Sequence, residues 1–152
     1  MKLSKRGEYA LKAATVLGER YGRGVVHLHE ISKQEHIPLK FLESIMQDLK
    51  RARIVTSTKG RSGGYELSQD PRDVTIGWIV RVVDGPLAPM SNREELEKKL
   101  QSVDRHQAMY EMLLKVRHSV ADILDKTTLS NLIDREQELN EARTGGFVMA
   151  GI

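Results

Sequence analysis

Ala10, Ala13, Ala14, Leu17 and Tyr21 recur at the spacing of one helical face, while Lys5, Lys12 and Glu19 fall on the other. This pattern predicts a helix to about Arg20 with Ser4 as its cap, ended by Gly22-Arg23-Gly24. A shorter run, "VHLHEISKQEHIP", predicts a second helix from Leu28 to about Gln34, stopped before a turn at His36-Ile37-Pro38. Pro38 suits the first turn of a third helix, because the amide that proline lacks has no helical partner there. In that third helix Leu39, Leu42, Ile45, Met46 and Leu49 form the inner face, and Lys40, Glu43, Gln47, Lys50 and Arg51 point outward. Two short helices joined by a tight turn, the second polar and basic outside, make a helix-turn-helix pattern.

The period then changes from helical to alternating. "IVTST" and "YELS" are β-branched and aromatic runs on either side of a glycine-rich basic tip, "KGRSGG", which predicts a hairpin. A phosphate loop does not fit, since no G-x-x-x-x-G-K-[ST] is present and no helix follows the glycines. A helix-turn-helix followed directly by a hairpin is a winged helix, with Lys59 and Arg61 at the tip of the wing. Gly60, Gly63 and Gly64 there permit tight turns and close backbone approach.

After a turn at Asp70-Pro71, Thr75 caps a helix with Ile76, Ile79, Val80 and Val83 inward, stopped by Gly85-Pro86. Residues 87–92 read as a loop. From Arg93 to about Asp125 runs one long charged pattern with Leu96, Leu100, Val103, Tyr110, Leu114 and Leu124 near a 4-3 spacing. Unbroken, such a helix would reach ~50 Å, overhang a small domain and call for a partner. A break near Ser102–Asp104 is the alternative, and packing back on its own domain is the alternative to self-association. Thr128 caps one more short helix, and "EARTGGFVMAGI" reads as a mobile tail. The fold class is thus mostly α with a small β wing. Residues 1–86 form a winged helix-turn-helix domain, 87–135 a long dimerisation helix region, and 136–152 a flexible tail.

Charge sharpens this division. Residues 1–72 hold 14 Lys and Arg against 8 Asp and Glu, whereas residues 73–152 hold 10 against 13. A basic front half points to a polyanion partner there, and an ordinary charged surface is the plainer reading. No stretch approaches the length of a membrane span, the basic start is an amphipathic helix rather than a signal peptide, and the chain has no cysteine. A cytoplasmic protein is the expectation. No nucleophile elbow, dinucleotide fingerprint, metal triad or acid pair argues for an enzyme. The five histidines have no i, i+4 partner and no cysteine beside them, so no metal site is expected.

The stretches "MKLSKRGEYAL", "FLESIMQDLKRARIVTSTKGRSGGYELS", "VTIGWIVRVVDGPL" and "TTLSNL" together resemble the Rrf-two family, winged-helix bacterial regulators of the IscR, NsrR and CymR type. The resemblance spans roughly residues 1–134. It implies a homodimer in which long C-terminal helices cross, and two winged helices that address a palindromic operator on double-stranded DNA, acting in most cases as a repressor. Many members carry three cysteines that hold an iron–sulfur cluster, in the segment corresponding to about Met90–His106. This chain has none there, and such clusters need thiolates, so the resemblance points to a cluster-free branch without a cofactor, serving cysteine and sulfur metabolism or stress. The alternatives are a redox-type regulator in cysteine-free form and a helical interaction protein that does not bind DNA. Arg53 stands where members often have glycine, and Trp78 where an acid is frequent. Trp78 fits either a pocket or the core.

Expected DNA contacts divide by role. Lys5, Lys50, Arg51, Arg53, Lys59 and Arg61, with Lys2 and Arg6, are candidates for phosphate. Lys40, Phe41, Glu43 and Gln47 sit on the reading face of the third helix, where Lys40 suits guanine, Glu43 the cytosine amine and Gln47 adenine. Glu43 could equally pair with Lys40 or Gln47 along its own helix. Cluster-free members of the family include regulators of cysteine metabolism that bind a cysteine synthase, an enzyme that also captures a terminal isoleucine carboxylate. Ile152 at the end of an apolar tail suits such capture, and a disordered end is the plainer reading.

Overall fold

The computed structural model describes residues 3–86, 93–102 and 105–150. In chain order it contains α1 (Lys5–Glu19), α2 (Leu28–Glu35), α3 (Leu39–Arg51), β1 (Val55–Thr58), β2 (Gly64–Leu67) and a 3-10 turn (Pro71–Asp73). Four further helices follow: α4 (Ile76–Asp84), α5 (Arg93–Gln101), α6 (Gln107–Lys126) and α7 (Leu129–Ala150). The fold is mostly helical with one two-stranded wing, as the residue pattern predicts.

Helix α1 is the hub, touching α2, α3, α4, α7 and β2. Its buried face is built largely of Ala10, Ala13 and Ala14, whose small side chains let neighbouring helices approach closely, with Val16 and Leu17 completing it. Ser4 caps the helix by accepting from the Gly7 amide at 2.9 Å, and its own amide donates to Asp84 at the end of α4 at 3.1 Å. Tyr21, placed on the inner face by its spacing, lies beyond the last turn, where Gly22 takes a positive φ and the chain turns away, leaving the ring 42% exposed.

Two left-handed closures frame the recognition helix. At the end of α2, His36 has φ 53, and the Ile37 amide reaches back to the Ser32 carbonyl at 3.1 Å while the Ile37 side chain is buried. At the end of α3, Arg53 has φ 61, its amide donates to Lys50 O at 3.0 Å, and Ile54 N donates to Leu49 O at 2.9 Å. Both use the six-to-one closure of a Schellman motif, with an apolar residue just past the left-handed position. This explains why glycine is suited to position 53, since a side chain there costs about 1–2 kcal/mol. Arg53→Gly is expected to raise stability by about 0.5–1 kcal/mol in urea melts, because glycine's extra unfolded-state freedom offsets part of the relieved strain. An Arg53→Ala variant, which keeps a Cβ, should gain nothing.

The wing pairs antiparallel, with Val55 opposite Leu67 and Thr58 opposite Gly64. Val26 adds a further rung: it exchanges both backbone hydrogen bonds with Tyr65, at 2.8 and 2.9 Å. Gly64 is required by that rung, since a Cβ there would stand 2.4 Å from the Val26 carbonyl oxygen. Gly63 is equally constrained, because a Cβ at that position would stand 2.1 Å from Thr58 O.

The pattern from Arg93 onward is divided into two helices, α5 and α6, that pack on each other. Gln107 explains part of the division: its side-chain amide donates to Ser102 O at 3.0 Å and Leu100 O at 3.4 Å, covering carbonyls that a continuous helix would have used. Leu96 is buried within the chain itself, and Lys99 of α5 stands over the Tyr110 ring of α6 at 5.1 Å. Helix α6 is held to α4 by Arg81, which donates two hydrogen bonds to Asp125 at 2.6 and 2.7 Å and holds that carboxyl below its ordinary range. The close approach there needs Gly77, since a Cβ would lie 2.1 Å from Asp125 Oδ1.

The residue pattern predicts a short helix after Thr128, yet α7 runs to Ala150, through most of the stretch that reads as a tail. Side-chain pairs at helical spacing support it, among them Arg135 with Glu138 at 2.8 Å and Gln137 with Glu141 at 3.1 Å. Thr128 and Asn131 cap its start reciprocally at 3.1 and 2.9 Å, and Thr128 also bridges to Thr75, the cap of α4. Ile133 then settles over Gly18 of α1. Trp78, half-buried, packs against the main core, as the core alternative anticipates. Lys2, Val103 and Ile152 lie outside the described residues. Among the described residues no helix is long and apolar enough to cross a membrane.

Candidate nucleic-acid interface

Most of the expected DNA-contacting residues lie on α3, the turn after it and the wing, and α3 packs against β1. The burial of Leu42, Ile45, Met46 and Leu49 fixes which side of α3 faces out, and on that side Lys40, Phe41, Glu43, Ser44, Gln47, Lys50 and Arg51 are exposed. Arg53 follows at the left-handed turn, and Lys59 and Arg61 occupy the wing tip, all three exposed. Gly60, with φ 106, and the Gly63 N–H to Gly60 O bond at 3.0 Å shape that tip.

Pairing separates these cations from most others in the molecule. Lys40, Lys50, Arg53, Lys59 and Arg61 form no ion pair among the described residues. Arg20, Arg72, Arg81, Arg93 and Lys126 are each matched to a carboxylate. The Arg72 match is close enough to pull Asp70 down to about 2. Unmatched cations on α3, the turn after it and the wing tip raise the local potential and favour a polyanion. Glu43, too, has no partner among the described residues: neither Lys40 nor Gln47 reaches it, so the intrahelical role open to it is not taken up. Its carboxylate is free to accept from a base amine.

Three of the basic candidates are partly or wholly engaged elsewhere. Arg6 is half-buried and turned inward, donating to Asp48 at 2.5 Å, Ser44 Oγ at 2.9 Å and Val83 O at 3.2 Å. It ties α1, α3 and α4 together and is a structural residue rather than a phosphate ligand. Arg51 meets the other oxygen of Asp48 at 2.6 Å but stays three-quarters exposed, so it can still reach outward. Lys5 lies 3.4 Å from Glu8 and 5.2 Å from the centre of the Tyr9 ring. Lys12 and Lys5 together hold the Glu8 carboxyl below its ordinary range.

Sequence reasoning does not foresee that Tyr9 meets Phe41 edge-on, ring centres 6.3 Å apart. Phe41 is 54% exposed at the start of the reading helix, an apolar ring suited to a thymine methyl. A second unforeseen surface lies on α6. Met109, Met112, Val116 and Ile123, spaced 3, 4 and 7 apart, are 43–64% exposed, and no residue of α6 is fully buried. Of the positions expected to dimerise, Leu96 is buried inside the chain and Leu100, Tyr110, Leu114 and Leu124 are half-buried. The open stripe is therefore a neighbouring face of the same helix.

A helix-turn-helix with a basic wing, its reading face free of core duties, defines a winged-helix DNA-binding regulator. The family model described as "Rrf2: Iron-dependent Transcriptional regulator" matches residues 3–135, and the chain belongs to that family. It is 35% identical over 141 residues to the HTH-type transcriptional regulator CymR of Bacillus subtilis, covering 91% of this chain and 96% of the relative. IscR of Sodalis glossinidius is 30% identical over 143 residues, covering 92% and 83%. Among solved structures, CymR, the global cysteine regulator of B. subtilis, superposes with a TM-score of 0.76 at 30% identity, covering 89% of this chain and 98% of that one. T. potens IscR gives 0.70 at 29% identity, covering 91% and 90%. These relatives are transcriptional regulators, not enzymes.

The iron in the family's description does not fit this chain's donor set. Thiolate ligands are missing from the sequence, and among the described residues no group of three or more His, Asp or Glu side chains is placed to hold a metal.

Proposed function

We propose that the protein is a homodimeric, sequence-specific repressor of a cluster-free branch, acting in the cytoplasm on genes of cysteine or sulfur metabolism. Residues 1–86 serve as the reading head and 87–135 carry the dimer interface. The observation that carries the reading is the set of unmatched cations on α3, Arg53 and the wing tip beside an unpaired Glu43. The likeness to a cysteine regulator supports the choice of genes. Cations at 50, 51, 53, 59 and 61 set affinity through phosphates, while Lys40, Phe41, Glu43 and Gln47 read base edges. The wing cations suit a narrow A·T-rich minor groove. A cysteine synthase as protein partner belongs to the same reading.

Selection from a random pool of duplexes at moderate salt tests it. The expected product is a palindrome whose half-sites lie ~10 bp apart, or a small multiple of that. Recovery of no motif, together with affinity indifferent to salt, would overturn the proposal.

A further inference from the structure

We propose that a cavity between the end of α4 and the middle of α6 is an effector site for a small oxyanion, a carboxylate or a phosphate, held by Arg117. The inference rests on the regulator reading, since an effector matters only if there is an activity to control. The cavity is about 360 Å³ and is lined by Arg81, Gly85, Pro86, Arg117 and Ala121. Its size is in the range of small-molecule sites, roughly 300–1,000 Å³. The two arginines differ in kind. Arg81 is fully engaged by the two oxygens of Asp125, so its charge is matched. Among the described residues Arg117 forms no ion pair, and its Nη1, shut off from solvent, has no hydrogen-bond partner.

A guanidinium nitrogen without water and without an acceptor is unusual in a folded protein. Two acids of its own helix are already taken: Asp122 holds Lys126 at 2.7 Å and Asp125 holds Arg81. A planar oxyanion entering the cavity would draw the Arg117 side chain round so that Nη1 donates to it, and the apolar walls of Pro86 and Ala121 would strengthen that bond.

The cavity is also connected to the reading helix. Gly85 and Pro86 continue directly from Val83, whose carbonyl accepts from Arg6, and from Asp84, which accepts from the Ser4 amide. The other arm of Arg6 grips Ser44 and Asp48 of α3. Occupancy that moves the end of α4 therefore acts on α3 through one shared side chain.

The test uses the full chain, titrated separately with phosphate, sulfate and acetate at ionic strength matched with chloride, and followed by calorimetry and thermal melting. The expected result is saturable binding of at least one of these probes above the chloride background, weakened about tenfold or more in Arg117→Met. Which probe binds separates carboxylate from phosphate chemistry. In oxyanion-free buffer Arg117→Met should melt no lower than the parent chain, because it removes an unsatisfied group. A lower melting temperature in every buffer would mark Arg117 as structural and overturn the proposal. So would a shift of the dimer equilibrium in Arg117→Met without any anion effect, which would assign Arg117 to a second copy of the chain. DNA affinity of the oxyanion-free protein is measured alongside, so that failure of the effector site and failure of the regulator reading give different results.

Discussion

Removing both wing cations, as Lys59→Ala with Arg61→Ala, is expected to lower affinity for the selected operator about a hundredfold at moderate salt while leaving the fold intact. Both side chains are exposed and unmatched, so nothing in the core depends on them. Every phosphate that goes unneutralised keeps its condensed counterion, and the double variant leaves two such phosphates on each half-site of a dimer. The plot of log affinity against log salt should therefore become shallower by about 3–4 units. Gln47→Ala offers the contrast: the salt slope stays, and discrimination at one base position falls by about 1–3 kcal/mol. Anisotropy titrations at several salt concentrations separate the two. An unchanged slope in the wing variant would mean that the tip does not touch DNA.

The second large effect concerns the open stripe of α6. Met112→Glu with Ile123→Glu should convert the proposed dimer to monomers, with self-association weakened by about a thousandfold or more. Two apolar side chains that would each contribute about 1.5–3 kcal/mol on burial are replaced by charges that resist desolvation. Because a second head bound to the same duplex gains from effective concentration, loss of the pair should also cost about 10²–10⁴ in operator affinity. Sedimentation velocity reads the first effect and anisotropy the second. Both side chains are already more than half exposed in the single chain, so the monomer should keep its helical content. A variant that stays dimeric would move the interface to the half-buried side, toward Tyr110 and Leu114.

The winged-helix head is readable because local rules agree there. Ser4 and Thr75 do cap their helices, the apolar side of α3 is buried, and the glycine-rich tip is a hairpin turn. What escapes sequence reading depends on partners distant in the chain. Arg6 looks like any basic surface residue until Asp48, forty-two positions away, claims it. Periodicity alone cannot distinguish one long seam from two helices packed face to face, because both keep apolar residues at three- and four-residue steps. The length of α7 is hidden for a different reason: the glycines and small residues after Thr144 read as chain-breaking, whereas polar pairing along residues 135–141 and the seat on Gly18 extend the helix. The α6 stripe and the Arg117 cavity emerge only from which sides of that helix α4 and α5 leave uncovered.

The paired left-handed closures at His36 and Arg53 bear on how such a protein changes over evolutionary time. They hold the reading helix at both ends, and its buried leucines, isoleucine and methionine hold it along its length. The side chains at 40, 43 and 47 therefore have no part in the core, and in the proposed function they answer to the operator. A descendant could exchange these few residues and acquire a different set of genes without relearning how to fold.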